Sequence, residues 1–225
     1  MIDIITALFY IFLTIVVFKF GLFINNKFKI VFLNPILVAA IIIIIILIVF
    51  DISYSDYYKG GRIIVSALGP IVVVLAVPLY KNRDELMKNF IPIIGGVTAS
   101  IITSFVSITV LCRLFGIDET IFLSLLSKSI TTPMAVESTK MLGGNEVVTV
   151  LAVVITGLTG AAVAPLVIKI GKIKNNTAKG IGIGSSSHAV GTSKALEINE
   201  EVGAASGLAI GVTGLMTIIA VIIFA

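Results

Sequence analysis

Long apolar segments follow one another along almost the whole chain, and they restrict its fold more than any other feature. The clearest is Phe32–Phe50, which contains six consecutive isoleucines from Ile41 to Ile46. Hydrophobic residues make up 58% of the 225 residues and charged residues only 12%, about half of the ~25% found in an average soluble domain. Such a chain cannot cover a globular surface with polar groups. We therefore predict an integral membrane protein with no room for a soluble domain.

Six segments are long and apolar enough to cross a bilayer, which takes about 20 residues in a helix. A spanning segment must satisfy its own backbone hydrogen bonds, so β-branched residues do not argue against helices here. The predicted spans are Ile4–Phe23, Phe32–Phe50, Ile63–Tyr80, Phe90–Cys112, Val147–Ile170 and Ala204–Ala225. The predicted fold class is an all-α polytopic membrane protein, with about six full transmembrane helices plus two re-entrant or broken polar helical segments, Thr120–Lys140 and Ala178–Ala195.

Basic residues in three loops predict how the chain is oriented. They lie at the ends of the first, third and fifth spans and in the turns after them: Lys19, Lys27, Lys29, Lys81, Arg83, Lys88, Lys169, Lys172, Lys174 and Lys179. Positive loops stay in the cytoplasm, which places the N-terminus outside a multi-pass protein of the cytoplasmic (inner) membrane. The N-terminus has no basic region and no small-residue cleavage site, so it is interpreted as an uncleaved span. With this orientation Thr120–Lys140 starts and ends on one side, as a re-entrant segment does.

An internal repeat is indicated in the C-terminal half. Leu151–Leu158 aligns with Leu208–Leu215 at an offset of 57 residues, with five of eight positions identical. Each copy follows one polar segment, and broken helices in inverted repeats are a common transporter plan. The alternative is chance similarity between two Leu-, Ala- and Gly-rich spans. The predicted organisation is a single membrane domain, 1–225, with four N-terminal spans in 1–113 and repeat-like units 119–172 and 177–225 within 114–225.

The first polar segment contains a Thr-Thr-Pro sequence. Pro133 has no N–H and clashes with the preceding turn, so the helix is predicted to break near Ser129 and to restart after the proline. The free N–H groups of a new half-helix attract anions. The alternative is a kinked helix whose hydroxyls bond to its own carbonyls. The candidate residues are Lys128, Ser129, Thr131, Thr132, Pro133 and Glu137.

The second polar segment combines alternating glycines with serines and the only histidine. Such glycines oppose a regular helix and let a ligand approach the backbone. A nucleotide-binding glycine loop would need a preceding strand, and a hydrolase would need a base oriented by a third group, so both are rejected. His188 is either a structural hydrogen-bonding residue or, with an ordinary pKa of about 6.5, a proton-coupling group. The candidates are Ser185, Ser186, His188, Gly191, Thr192 and Lys194.

The candidate residues of both segments are mostly donors, which suits a small anion such as a carboxylate. Lys128, Glu137, His188 and Lys194 are the candidates for charge or proton coupling, since ionisable groups at membrane depth are functional candidates. Pairing of Glu137 with Lys140 and of Lys194 with Glu197 is the alternative for those charges. The single cysteine, Cys112, excludes an intrachain disulfide and a Cys-rich metal site. We expect no cofactor, no metal, no catalytic residue, no nucleic-acid partner and no enzymatic activity.

At these residues the chain resembles the LrgB/CidB family of bacterial membrane proteins, over roughly residues 60–225. The similar stretches are Leu68–Pro70, Val77–Lys81, Ser129–Ala135, Gly143–Gly144, Thr156–Gly157 and Gly184–Glu197. The resemblance implies one of two functions. One is an antiholin-like regulator of murein hydrolase activity and autolysis. The other is transport of small monocarboxylates of the pyruvate or glycolate kind. Both imply a holin-like LrgA/CidA-type partner.

The two broken, donor-rich segments favour transport, because a selective carrier needs them and a regulator of lysis does not. A structural membrane scaffold is the third alternative, and it leaves the polar segments without a use. The working hypothesis is alternating access, possible proton coupling through His188, and assembly as a homo-oligomer. In this hypothesis the carboxylate lies between Thr131–Pro133 and Ser185–Thr192. Hydrogen bonds come from Thr131, Thr132, Ser186 and Thr192, and positive potential comes from Lys128 or Lys194.

Overall fold

The computed structural model describes residues 2–28, 33–67, 70, 73, 74, 76–81 and 83–224. The elements in these residues are α-helices, which confirms the predicted all-α fold. By length and composition, the helices in this part of the chain that can cross a membrane are Ile4–Phe28, Phe90–Leu114, Glu146–Ile170 and Glu200–Ile223. The chain divides into two compact units, Met1–Ile71 and Val72–Ala225.

The first unit contains α1 (Ile2–Phe28), α2 (Pro35–Val49) and α3 (Tyr54–Val65). Helix α2 starts where proline fits the first turn and the Asn34 side chain accepts the Ile36 N–H at 2.9 Å. It has 15 residues, or about 22 Å at ~1.5 Å per residue. The hydrocarbon core of a bilayer is about 30 Å thick. The described helix is therefore shorter than the full span predicted from Phe32–Phe50.

Two contacts hold this unit together. Val17 of α1 packs with Ala39 and Ile43 of α2 in a buried apolar cluster. On the α3 side, the Thr14 hydroxyl lies 3.0 Å from the Tyr57 hydroxyl. The unit thus combines an apolar contact between α1 and α2 with a polar contact between α1 and α3.

The predicted third span, Ile63–Tyr80, cannot be followed continuously. Its N-terminal end forms the last turn of α3 and its C-terminal end lies in α4 (Ala76–Lys81). Residues of this span that lie outside the described set are Leu68, Gly69, Ile71, Val72 and Leu75, and Lys29 of the first basic loop lies outside it as well. The prediction of one crossing helix here stays a prediction.

The second unit holds the polar segments. After α4 come α5 (Arg83–Lys88), α6 (Phe90–Leu114), α7 (Glu119–Leu126), α8 (Thr132–Leu142), α9 (Glu146–Ile170), α10 (Asn176–Ile198) and α11 (Glu200–Phe224). Helices α6, α9 and α11 match the predicted fourth, fifth and sixth spans within a few residues. Helix α11 starts earlier than predicted because the Asn199 side chain accepts the Val202 N–H at 2.8 Å.

Short polar side chains set the other helix starts, as N-caps do. The carboxylate of Asp118 accepts the Thr120 N–H at 2.9 Å, and the Asn145 and Asn175 side chains do the same for α9 and α10. Helix α8 ends at Gly143, whose φ of 74° is the left-handed conformation that glycine adopts at helix ends. These signals separate four helical pieces within the polar half of the sequence.

The core of the second unit is apolar and lies between α6, α10 and α11. Its fully or nearly buried members are Ile93, Val97, Ile181, Leu208, Ala209 and Val212. A second cluster joins Ile130 and Met134 to Val153 of α9. Both polar segments are therefore packed among spanning helices, where irregular backbone at membrane depth is tolerated.

Candidate functional site

The first polar segment folds back on itself as a helical hairpin, hairpin 1 (residues 119–142). Helix α7 ends at Leu126 and α8 starts at Thr132, with Pro133 in its first turn. The chain then returns to α7, because the N–H of Asn145 donates to the Ser124 hydroxyl at 2.7 Å. The predicted break is confirmed. The new helix begins one residue before the proline, since the first turn does not need the missing N–H.

The second polar segment also reverses direction, and it does so at one residue. His188 has φ 42° and ψ −140° and separates two half-helices within α10, here called hairpin 2 (residues 176–198). The start of hairpin 2 lies beside the start of α11, where the Asn176 amide donates to the Glu201 carboxylate at 2.8 Å. Its end leads directly into α11. A non-glycine residue with positive φ is uncommon and costs conformational energy, so surrounding contacts must hold His188 in place.

Those contacts come from α9. The Nε2–H of His188 donates to the Val153 carbonyl at 2.9 Å, and the side chain is 4% exposed. A Cβ on Gly157 would lie 2.5 Å from the imidazole Cε1, so glycine makes room for the ring. His188 therefore fastens the tip of hairpin 2 to the backbone of α9. This is the structural alternative considered for the histidine, and it leaves its proton-coupling role a prediction.

Glycines in the first half of hairpin 2 serve helix packing more than ligand approach. Gly180 and Gly184 face α11, and a Cβ on Gly180 would lie 2.5 Å from the Val202 carbonyl. They lie in regular helix, contrary to the expectation that alternating glycines would prevent one. Gly182 has open space around it and lines a cleft. Of Gly180, Gly182 and Gly184, only Gly182 leaves its backbone accessible to a ligand.

A cleft of about 1070 Å³ extends through the second unit. Asn89 at the start of α6 and Ile173 just after α9 border one end, beside the lysine-rich loop. Serines of both hairpin tips border it as well. The cleft therefore connects the lysine-rich end of the unit with the hairpin tips.

The two hairpins enter the unit from opposite ends. The cleft places the start of α6 near the end of α9, so these helices are antiparallel. Hairpin 1 follows the end of α6 and hairpin 2 follows the end of α9, so their starting points lie at opposite ends. Their tips meet, since Ser129 and Ser185 line the same small enclosed cavity. An inverted repeat predicts such opposite entry, and the repeat itself stays a prediction.

Lys128 brings a positive charge to the cleft. It is half-buried at the tip of hairpin 1, and its ammonium donates to the Ser129 hydroxyl at 3.3 Å. It has no carboxylate within ion-pair distance among the residues that the structure describes. An ionisable group at membrane depth is expensive without a partner. Of the site residues predicted from the sequence, four line the cleft: Lys128, Ser129, Ser185 and Ser186.

Gly191 and Thr192 lie inside hairpin 2, away from the cleft lining. The Thr192 hydroxyl donates to the His188 carbonyl at 3.0 Å and lies 2.6 Å from the Ser206 hydroxyl. A Cβ on Gly191 would lie 2.5 Å from the Ser187 Cβ. Both residues hold the two half-helices together and fix them to α11.

Thr131, Thr132 and Pro133 form the start of α8, also outside the cleft lining. The Thr131 hydroxyl is buried without a hydrogen-bond partner, as are those of Ser127 and Ser138 among the described residues. Native structures leave few buried polar groups unsatisfied. All three lie in hairpin 1, and two of them, Ser127 and Thr131, stand on either side of its break.

The two remaining charge candidates pair locally. Glu137 and Lys140 lie 3.0 Å apart, and Lys194 and Glu197 lie 2.6 Å apart. Both pairs have the i,i+3 spacing that was the alternative for these residues. Two hairpin lysines therefore line the cleft: Lys128 at the tip of hairpin 1, and Lys179 in the first turn of hairpin 2, whose ammonium donates to the Asn176 side chain at 3.0 Å.

Helix α6 contributes residues that the sequence reasoning did not assign. Ser100 and Ser104 line the cleft, and Ser100 donates to the Ser185 carbonyl at 3.3 Å. The Ser104 hydroxyl lies 3.4 Å from that of Ser129. Their spacing of four residues, continued by Ser107, is the signal that could have placed them on one helix face.

Comparisons with known proteins agree with this description. The model of the LrgB-like family matches residues 14–225. The chain is 41% identical to "Uncharacterized protein YxaC" of Bacillus subtilis over 86% of this chain and 84% of the relative. It is 37% identical to "Holin-like protein CidB" of Staphylococcus aureus over 96% of this chain and 94% of the relative. No solved structure matches it significantly. The chain, a membrane protein built around two facing helical hairpins, belongs to the LrgB-like family.

Proposed function

We propose that this protein is a secondary transporter of small monocarboxylates of the pyruvate or glycolate kind in the cytoplasmic membrane, with its N-terminus outside. The observation that carries the proposal is the Lys128 ammonium, which has no carboxylate within ion-pair distance among the described residues and lies at a hydroxyl-lined meeting point of two broken hairpins. A carboxylate supplies the missing counter-charge, and charge-assisted hydrogen bonds are stronger than neutral ones. The same positive charge disfavours cations.

The proposed binding site lies where the hairpin tips meet the cleft. Lys128 holds the carboxylate and the Ser129 hydroxyl donates a hydrogen bond to it, while Ser185 and Ser186, whose hydroxyls donate to the Gly182 carbonyl, line the site. The cleft opens toward the lysine-rich loop, which corresponds to an inward-facing state. Transport to the other side requires the tips to expose the site toward the opposite end. Hairpin 1, with its unused Thr131 hydroxyl, is the element that forms that second access route.

A holin-like function is the second candidate, and the names of several relatives favour it. "Holin-like protein CidB" is the name of relatives in both Staphylococcus aureus and Staphylococcus epidermidis. In this alternative the chain is an antiholin-like regulator of murein hydrolase activity and autolysis, together with an LrgA/CidA-type partner. The two broken polar hairpins then have no assigned task, which is why transport ranks first. Control of autolysis follows as a consequence if the transported anion affects it.

Uptake into liposomes separates the two candidates. Labelled pyruvate uptake is measured with the purified chain alone and with its LrgA/CidA-type partner, with and without a pH gradient. The proposal predicts saturable uptake in at least one preparation, and acceleration by the gradient if transport is proton-coupled. Folded protein without uptake in either preparation contradicts transport of this substrate class and leaves the antiholin-like function as the stronger candidate.

A further inference from the structure

The large cleft of the second unit is lined by positive charge without a compensating negative one. Among its lining residues that the structure describes, the charged ones are Lys128 and Lys179, and none is a carboxylate. A cleft that carries charges of one sign between low-dielectric walls concentrates counter-ions. The cleft therefore attracts anions along its length, and the site around Lys128 uses only one of its two cations.

The two lysines lie at opposite ends of this cleft. Lys128 is at the tip of hairpin 1, where Ser129 and Ser185 line one small cavity. Lys179 lies in the first turn of hairpin 2, and at ~1.5 Å per residue it precedes Ser185 by about 9 Å along the helix axis. Its ammonium is held still further from the tip, because it donates at 3.0 Å to the side-chain oxygen of Asn176, which comes earlier in the same helix. An anion of the size of pyruvate therefore contacts one of the two lysines at a time.

The surroundings of Lys179 leave it able to bind an anion. An ammonium has three hydrogens, and the bond to Asn176 uses one of them. Lys179 has no carboxylate within ion-pair distance among the residues that the structure describes. The Asn176 amide donates to the Glu201 carboxylate at 2.8 Å, so that carboxylate orients Asn176, which separates it from Lys179. Asn175 and Thr177 line the same end of the cleft and add an amide and a hydroxyl.

We propose that Lys179 is a second anion site of the cleft, called here the mouth site, which binds a small carboxylate before it moves on to Lys128. An anion that enters from the lysine-rich end meets Lys179 first. Each site offers one cation, and division of the binding between two sites keeps either of them from holding the anion too tightly to pass it on. The identity of the anion as a monocarboxylate rests on the proposed function, whereas anion binding at the mouth site does not.

Gly182 offers a reporter position between the two lysines. It lies on the turn after Lys179, has open space around it and lines the cleft. Gly182→Cys in a Cys112→Ala background places a single thiol there. Its rates of reaction with an anionic and a cationic methanethiosulfonate are measured on the full-length chain in lipid nanodiscs, and their ratio reports the local potential. We expect Lys179→Met to lower the anionic-to-cationic ratio at least about threefold, because it removes a charge one helical turn away.

Lys172→Met is the matched control. Lys172 is an exposed lysine just after α9 that does not line the cleft, so this variant should keep the ratio of the parent protein. Lys179→Arg, which retains the charge, should keep it as well. An unchanged ratio in folded Lys179→Met overturns the proposal.

Protection by pyruvate tests binding itself. Labelling of the Gly182→Cys reporter with a neutral maleimide, whose rate does not depend on ionic screening, is followed in a variant that also carries Lys128→Met and so lacks the deeper site. We expect pyruvate to slow this labelling saturably, and Lys179→Met added to the variant to abolish the protection. Absence of protection before Lys179 is replaced overturns the proposal. Protection without pyruvate uptake in liposomes leaves this inference standing and contradicts the proposed function, whereas uptake without protection contradicts this inference alone.

Discussion

Replacing Gly157 with alanine tests whether His188 fastens hairpin 2 to α9. The new Cβ would lie 2.5 Å from the imidazole Cε1, 2.9 Å from Nε2 and 3.1 Å from the Val190 Cβ. The ring cannot simply rotate away, because its Nε2–H is bonded to the Val153 carbonyl. Overpacking of this kind costs about 1–3 kcal/mol, and a buried group left unsatisfied costs about 1–3 kcal/mol more. We expect the free energy of unfolding to fall by about 2–4 kcal/mol, assuming partial relaxation.

The only cysteine provides the assay. Cys112 is buried, so a thiol-reactive dye in detergent reports unfolding as temperature rises. A chain of this size shifts its Tm by about 2–4 °C per kcal/mol, which predicts a decrease of at least about 5 °C. Gly207→Ala is the control, since a Cβ there meets open space. Equal melting temperatures for Gly157→Ala and Gly207→Ala would refute the fastening role of His188.

Three further outcomes are expected. His188→Gln keeps an N–H donor but cannot titrate, so it should preserve the fold. Uptake that persists but no longer responds to a pH gradient assigns a proton role to His188, whereas uptake that still responds contradicts that role. In a Cys112→Ala background, a cysteine that replaces Lys172 should react with an impermeant maleimide only after the membrane is opened. A cysteine that replaces Asp51 should react while the membrane is intact. The reverse pattern contradicts the proposed orientation. Ser124→Ala removes the acceptor of the Asn145 N–H and should lower Tm by several degrees, at about 1–3 kcal/mol for the buried group left unsatisfied; an unchanged Tm argues against the packing of hairpin 1.

Hairpin 1 could be predicted from sequence because its cause is local. Pro133 lacks the N–H that a helix interior needs, so the break must lie within a turn before it. The positively charged loops before α6 and after α9 are predicted to lie on the same side of the membrane. The segment between these two helices must therefore start and end on one side. The structure agrees on both points, and it adds only the position of the restart at Thr132.

Hairpin 2 could be recognised as irregular, but its turning point could not be located. The glycine-rich run indicates flexibility over many residues, and the reversal falls on His188, which is not a glycine. The partners that stabilise this conformation, Val153 and Gly157, lie more than 30 residues away in sequence. A contact at that separation leaves no signal near the histidine. The roles of Gly180 and Gly184 were misjudged for the same reason, since α11 is what they face.

The serines of α6 were missed for a different reason. Ser and Thr in membrane helices commonly bond to a carbonyl of their own helix, and Thr98 and Thr109 of α6 do so. The spacing of Ser100 and Ser104 places them on one helix face, but it does not tell which hydroxyls of α6 bond to a neighbouring helix. Only the packing of hairpin 2 against α6 turns the Ser100 hydroxyl toward the Ser185 carbonyl.

The central claim is that the Lys128 ammonium binds the transported anion, and one comparison tests it most directly. Saturable pyruvate uptake is measured in liposomes containing wild-type protein, Lys128→Met or Lys169→Met, where Lys169 is an exposed lysine near the end of α9. Removing a charged hydrogen-bond partner costs about 1.5–3 kcal/mol, so Lys128→Met should weaken the apparent affinity at least about tenfold. Lys169→Met should match the wild type. Wild-type affinity in folded Lys128→Met would contradict the account.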